Sequence, residues 1–361
     1  MNIGILSMQK ICNYGSFLQA LSLKLQLEAR GHVVYFIDIL PGKQIVETVQ
    51  DVHVSYLSKF DKYVFKRIEH YLLAKAMTAL HIQDYETYLE TGKVLPEGQK
   101  FDLVVIGSDE VFNATEQSAW GFTPQLFGKV DNARQIVTYA ASCGHTTFER
   151  LFQYGVAEEV QSAMCNLKHI SVRDENTVEF VQKILGKEPL MHVDPVLISD
   201  FDALIPQIRK RKPYLLVYAY SNRIHDEAEI SAIKAYAKKH KLDVLCVGMH
   251  QRWCKHNIPA TGFELLSYVK GAACIVTDTF HGTVFSIKYN KKFVALVRDS
   301  NRNKLGGLLR QFGLTERSVD DLQMFENVMN VDIDYRTVND KIKDEQQKSY
   351  SYLDMITKVE E

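Results

Sequence analysis

From Tyr214 to Val297 the chain alternates short apolar runs with amphipathic stretches so regularly that a parallel α/β sheet is the architecture it suits. Strands are expected at Tyr214 to Tyr218, Asp243 to Val247, Cys274 to Thr277 and Phe293 to Val297. Helices are expected between them at Asp226 to Lys239, Phe263 to Lys270 and His281 to Tyr289. Parallel strands need crossovers of this length, and strict alternation implies a doubly wound domain.

The first half repeats the pattern. Asn2 to Ser7 reads as a strand, Phe17 to Ala29 as a helix with Gly31 suited to its C′ position, and Val33 to Ile37 as a second strand. Leu103-Val104-Val105-Ile106 is the kind of apolar run that parallel sheets bury on both faces, and Ile136 to Tyr139 and His169 to Val172 follow the same theme. A chain of 361 residues exceeds one ordinary core and suits two. The expected organisation is therefore α/β: two doubly wound parallel-sheet domains facing a cleft. We place an N-terminal α/β domain at 1–200, a C-terminal one at 212–325, and a helical tail at 326–361 that packs back on the first. The boundary falls between Asp194-Pro195 and Pro213, with Ser199 to Arg211 crossing over.

An insertion at about 56–90 is expected to be helical. Tyr56 to Leu80 gathers Leu57, Phe60, Val64, Ile68, Tyr71, Leu72 and Leu80 on one side, with five basic residues against two acidic. It reads either as a helix packed on the first domain with a solvated basic face, or as a peripheral contact with an anionic membrane surface through 56–80.

Several function classes are disfavoured. A formal net charge of -1 and the lack of any Lys/Arg-rich run argue against nucleic acid. No stretch is apolar enough to span a membrane and the start lacks a signal-peptide pattern, so the expectation is a cytoplasmic protein, with peripheral contact at the inner face of the membrane as the alternative for the insertion. The six cysteines form no C-x-x-C pair and read as reduced thiols. Asp38 ends the second strand, but no G-x-G-x-x-G precedes it, and no P-loop occurs, which argues against dinucleotide and P-loop nucleotide sites. His250-x-x-x-Cys254-x-His256 has loosely metal-like spacing without a second cluster, so no metal site is expected.

Four segments carry candidate chemistry. Asn13-Tyr14-Gly15-Ser16 lies in the first strand-to-helix turn, where backbone N–H groups and the positive helix end can face an anion. Gly107-Ser108-Asp109-Glu110 ends an apolar strand at the sheet edge where ligands bind. Asp109 is read there as a base or acceptor-hydroxyl anchor, or alternatively as a turn aspartate. Arg173 ends another strand just before Asp174, the expected N-cap. It can grip a carboxylate or phosphate with two parallel hydrogen bonds, or serve a salt bridge. In Thr277-Asp278-Thr279-Phe280-His281-Gly282-Thr283 a strand gives way to a helix, and His281 can neutralise phosphate or deliver a proton, or be structural.

In this order the motifs resemble the polysaccharide pyruvyl transferase family. They are N-Y-G-x-x-L-Q-A (Asn13 to Ala20), G-S-D-E-V-F-N (Gly107 to Asn113), Y-A-A-S-C-G (Tyr139 to Gly144), S-V-R-D (Ser171 to Asp174), V-D-P (Val193 to Pro195) and D-T-F-H-G-T (Asp278 to Thr283), spanning roughly residues 1 to 315. The resemblance implies a Rossmann-like, GT-B-like fold and phosphoenolpyruvate as co-substrate, with no other cofactor. The implied acceptor is a sugar or oligosaccharide of a growing glycan, often lipid-linked. The family's donor-site arginine falls on Arg173 and its motif histidine on His281. The substrate-binding set then comprises Arg173, Asn13, Tyr14, Gly15, Ser108, Glu110, Asn113, Thr279, Phe280, Gly282 and Thr283. Many members carry a basic residue where Thr279 stands, so the phosphate is expected to rely on the helix start at His281 and on Arg298, Arg302 or Lys304. Two rival readings are a GT-B glycosyltransferase using a nucleotide sugar, and a non-catalytic glycan-assembly subunit.

Overall fold

The computed structural model describes residues 1–46, 64–115, 120–209, 211–221, 223–298 and 301–358, with the side chains of 64–70 excepted. The expectations placed on Leu57, Phe60, Val64 and Ile68 therefore lie outside what is described. The N-terminal sheet is built from β1 (Asn2–Leu6), β2 (Val33–Phe36), β3 (Phe101–Asp109), β4 (Ala133–Ala141), β5 (Leu167–His169), β6 (Ser171–Val172) and β7 (Leu190–Met191). Its order is β2-β1-β3-β4-β6-β7, with β5 also on β4, and every pairing is parallel. The run expected as one strand at His169 to Val172 is two pieces, interrupted at Ile170, after which the Ser171 backbone N–H donates to the Thr138 hydroxyl at 2.7 Å.

The second sheet contains β8 (Tyr214–Tyr218), β9 (Asp243–Val247), β10 (His256–Ile258), β11 (Cys274–Thr277), β12 (Phe293–Leu296) and β13 (Ser318–Val319), in the order β10-β9-β8-β11-β12-β13. The sequence pattern missed β10, a three-residue edge strand headed by His256. The Cys254 thiol nearby donates to the Val244 carbonyl.

The apolar run of β3 shows why the sheets are buried on both faces. Leu103 and Val105 enter one core, while Val104 and Ile106 enter another on the opposite face. In β8, Leu216 and Tyr218 join that first core, and Leu215 and Val217 face a third. One apolar layer thus lies between the two sheets. It holds α1 (Tyr14–Glu28), whose residues Tyr14 to Lys24 are all buried, with partners from both sheets. The C-terminal helix, Tyr335–Ile356, returns to the first sheet and the turn beyond it: Tyr352 Oη donates to the Thr138 carbonyl at 2.8 Å and Tyr350 Oη to that of Ile198 at 2.7 Å.

In the insertion, α2 spans Val64–Asp84, and only its C-terminal end is seen to pack. His81 lies against Tyr14 with ring centroids 3.9 Å apart, while Tyr71 and Leu72, expected on the packed side, are more than half exposed. Among the described residues no helix is long and apolar enough to cross a membrane.

Candidate active site

Both sheets reverse their strand order, at β1/β3 and at β8/β11, and chain segments diverge there at the carboxyl ends of the strands. The two switch points face each other across one cavity of about 480 Å³. Its lining comes from the turn after β1 (Met8, Asn13, Ser16), the end of β3 (Asp109, Glu110), the end of β6 (Arg173), the segment after β8 (Tyr220, Arg223), the segment after β11 (Asp278, Thr279, Phe280, His281) and Lys304.

Behind the Arg173 and His281 of this lining lies Asp194, 1% exposed and at the N-cap of a short turn where its Oδ1 accepts from Val196 N. Arg173 Nη1 donates to Asp194 Oδ2 at 2.9 Å, and His281 Nε2 stands 3.3 Å from the same oxygen. Burial alone would raise the Asp194 pKa, but His281 and Arg173 hold it below the ordinary range. Arg173 also approaches Asp109 at 3.7 Å and stacks on Phe280 at 4.1 Å, and its Nε has no partner among the described residues. Arginine and histidine, from opposite units, thus share one buried carboxylate.

Local geometry aims these groups. Gly107 has φ 120, where a side chain would be strained, and a Cβ would lie 2.3 Å from the Tyr139 carbonyl oxygen. Asp109 itself has φ 78, an unusual conformation for a residue with a side chain, and its Oδ2 accepts from Ser16 Oγ at 2.7 Å. Thr279 caps the helix Phe280–Lys288, accepting from Gly282 N at 2.9 Å. His281 then packs directly over Gly15 of the other unit, where a Cβ would meet its Nδ1 at 2.0 Å.

Of the residues singled out by sequence, Asn13, Asp109, Glu110, Arg173, Thr279, Phe280, His281 and Lys304 line the cavity. The others do not. Tyr14 is fully buried, donating to the Ala260 carbonyl, and Gly15 is covered by His281 with its N–H taken by Asn13 Oδ1, so this turn does not offer the open backbone donors expected of it. Ser108 Oγ donates to the Ala140 carbonyl, and Asn113 holds Glu110 and Thr146 from behind. Gly282 admits the Thr277 hydroxyl, 2.1 Å from where a Cβ would stand, and Thr283 Oγ1 donates to the Thr279 carbonyl within the helix. Arg298 is clamped by both oxygens of Glu229, and Arg302 pairs with Asp320 at 3.1 Å beside a separate groove. Of the three cations expected to help hold phosphate, only Lys304 reaches the cavity.

There Lys304 is paired with Glu110 across the cleft. Burial would raise the Glu110 pKa, but Lys304 and Asn113 bring it down to about 2. Sequence reasoning missed Tyr218, Tyr220, Arg223 and the roles of Ser16, Asp194 and Asp278. Both aspartates stood inside quoted motifs; Arg223 had no signal. Among the described residues the Arg223 guanidinium makes no hydrogen bond or ion pair, lying 4.7 Å over the Tyr220 ring.

The polysaccharide pyruvyl transferase family model matches residues 13–300. No curated protein matches. Among solved structures the chain is similar to Arabidopsis thaliana UGT89C1 complexed with UDP-L-rhamnose, at 11% identity and TM-score 0.50, over 99% of this chain and 98% of that one. It is also similar to Streptomyces sp. SF2575 glycosyltransferase SsfS6 complexed with thymidine diphosphate, at 12% identity and TM-score 0.49, over 99% of each chain. At such identities the likeness is one of fold alone: two Rossmann-like domains in the GT-B arrangement.

Proposed function

The chain belongs to the polysaccharide pyruvyl transferase family, and from that premise we propose that it transfers the enolpyruvyl unit of phosphoenolpyruvate, as a ketal, onto two hydroxyls of a sugar in a growing, lipid-linked glycan. A transferase with a sugar or polysaccharide acceptor is what the family implies. The observation that carries the finer reading is the meeting of Arg173 and His281 over one buried carboxylate, with Arg223 facing the same cavity.

Arg173 is suited to grip the donor's carboxylate, since a guanidinium fixed by Asp194 and Phe280 is already oriented when a planar anion arrives. The donor's phosphate falls to His281, Arg223 and Lys304, and Arg223 supplies a cation where Arg298 and Arg302 are engaged elsewhere. Asp109, held by Ser16 and Arg173, orients an acceptor hydroxyl. Protonation of donor C3 leaves an oxocarbenium-like C2 that one hydroxyl attacks; a second hydroxyl then displaces phosphate and closes the ketal. His281 neutralises the departing phosphate. The test is incubation with phosphoenolpyruvate and candidate glycan acceptors, following released phosphate and the ketal methyl signal by NMR. Sugar transfer from a nucleotide sugar, without phosphoenolpyruvate consumption, would refute the reading.

A further inference from the structure

We propose that Asp278 is the proton-transferring carboxyl of this cleft, giving a proton to C3 of the enolpyruvyl donor and recovering one from the attacking sugar hydroxyl; the assignment rests on the donor reading above. Four acidic side chains gather here, and three are engaged. Asp109 accepts from Ser16, Glu110 is paired with Lys304, and Asp194 with Arg173. Asp278 alone among them is fully buried with no side chain of the described residues bonded to either carboxylate oxygen, and it lines the cavity.

Its position follows from the sheet. Thr277 pairs with Tyr218 in the β11/β8 ladder, so Asp278 and the segment after Tyr218 emerge together at the switch point. Tyr218, also cavity-lining, carries a second buried polar group, its hydroxyl, without a partner among the described residues. Buried polar groups are nearly always satisfied, and an orphaned carboxylate opening onto a cavity is a place built for a polar ligand. The backbone holds Asp278 rigidly, its carbonyl accepting from Asn301 Nδ2 at 2.7 Å.

The surroundings also favour proton transfer. Burial raises the Asp278 pKa to about 6, against the opposing pull of Arg223 and Arg298 and of the Tyr220 and Asp278 backbone N–H groups. Besides Arg223, the other ionisable groups lining the cavity are His281, His145, Tyr218, Tyr220, Lys304, Glu110, Asp109, Arg173 and Cys12. A carboxyl with this pKa, in a cavity where Lys304 keeps Glu110 ionised, is the one suited to exchange a proton near neutrality. An arriving phosphate raises it further by like-charge repulsion. The balance closes: the Asp278 proton forms the new C3–H bond, the first hydroxyl's proton returns to Asp278 as its oxygen bonds C2, and the second hydroxyl's proton leaves with phosphate as the C2–O bond breaks.

Calorimetric titration with phosphoenolpyruvate, in two buffers of different ionisation enthalpy near neutral pH, tests the assignment. Wild type should take up protons on binding that Asp278→Asn does not, while the variant's affinity stays within about threefold. In the same proteins, Asp278→Asn should be the more stable near neutrality, an advantage that fades as pH falls below about 6. With an acceptor present its turnover should drop by roughly 10²–10⁴-fold at little-changed KM for the donor. Equal proton uptake in both proteins, or a variant less stable than wild type near neutrality, overturns the assignment alone. No binding heat with wild type overturns the donor reading and the assignment with it.

Discussion

Gly15→Ala sets two effects of opposite sign against each other. Gly15 is the second residue of α1, and alanine is the better helix former by up to about 1 kcal/mol. The new Cβ, however, would stand 2.0 Å from His281 Nδ1 and 2.2 Å from its Cγ, when real Cβ contacts essentially never fall below 3.0 Å. The ring must therefore retreat by about 1 Å or more. It is 7% exposed, edge-on to Phe280 and 3.3 Å from Asp194, so retreat disturbs the shared carboxylate. Overpacking of this kind costs about 1–3 kcal/mol, which outweighs the helix gain. We expect a net loss of about 1–2 kcal/mol, a fall in Tm of roughly 2–8 °C, and weakened phosphoenolpyruvate binding. Combining Gly15→Ala with His281→Ala removes the clash, so in that background the alanine should be neutral or stabilising. Scanning calorimetry on the four proteins of this cycle measures the coupling directly. Equal stability of Gly15→Ala and wild type, with no coupling to position 281, would refute the packing of His281 on the opposite unit.

Asp194→Asn leaves Arg173 and His281 without their buried anion and should destabilise by roughly 3–5 kcal/mol near neutrality by urea denaturation. Because the folded-state pKa of Asp194 is lowered, its contribution is present above the unfolded value and lost as pH falls through the folded one, so the gap to wild type should close in acid. Arg223→Ala should weaken phosphoenolpyruvate binding by at least about tenfold, whereas Arg298→Lys should leave it unchanged, since Arg298 faces Glu229. Lys304→Ala removes the cation that lowers the Glu110 pKa, which should rise from about 2 by NMR titration while donor affinity falls.

The sheets were legible because parallel strands buried on both faces write themselves as continuous apolar runs; β8, β9 and β11 have the ends the pattern gave. β10 escaped because three residues at a sheet edge carry no such run. Side-chain commitment was not legible at all. Whether a cation serves the cleft depends on its neighbours in space: Arg298 lies 69 residues from Glu229, the carboxylate that occupies it. Arg223 follows no motif, and what distinguishes it is the lack of a hydrogen-bonded partner among the described residues. Likewise Gly15 suggested an open phosphate loop, when its missing side chain instead makes room for His281.

The most direct test of the central claim is the thermal shift of the protein with phosphoenolpyruvate, set beside uridine and thymidine sugar nucleotides. Selective native-state binding raises Tm by mass action. We expect a rise with phosphoenolpyruvate alone, abolished by Arg173→Ala and by His281→Ala; no rise with it, or a rise only with a sugar nucleotide, would contradict the account.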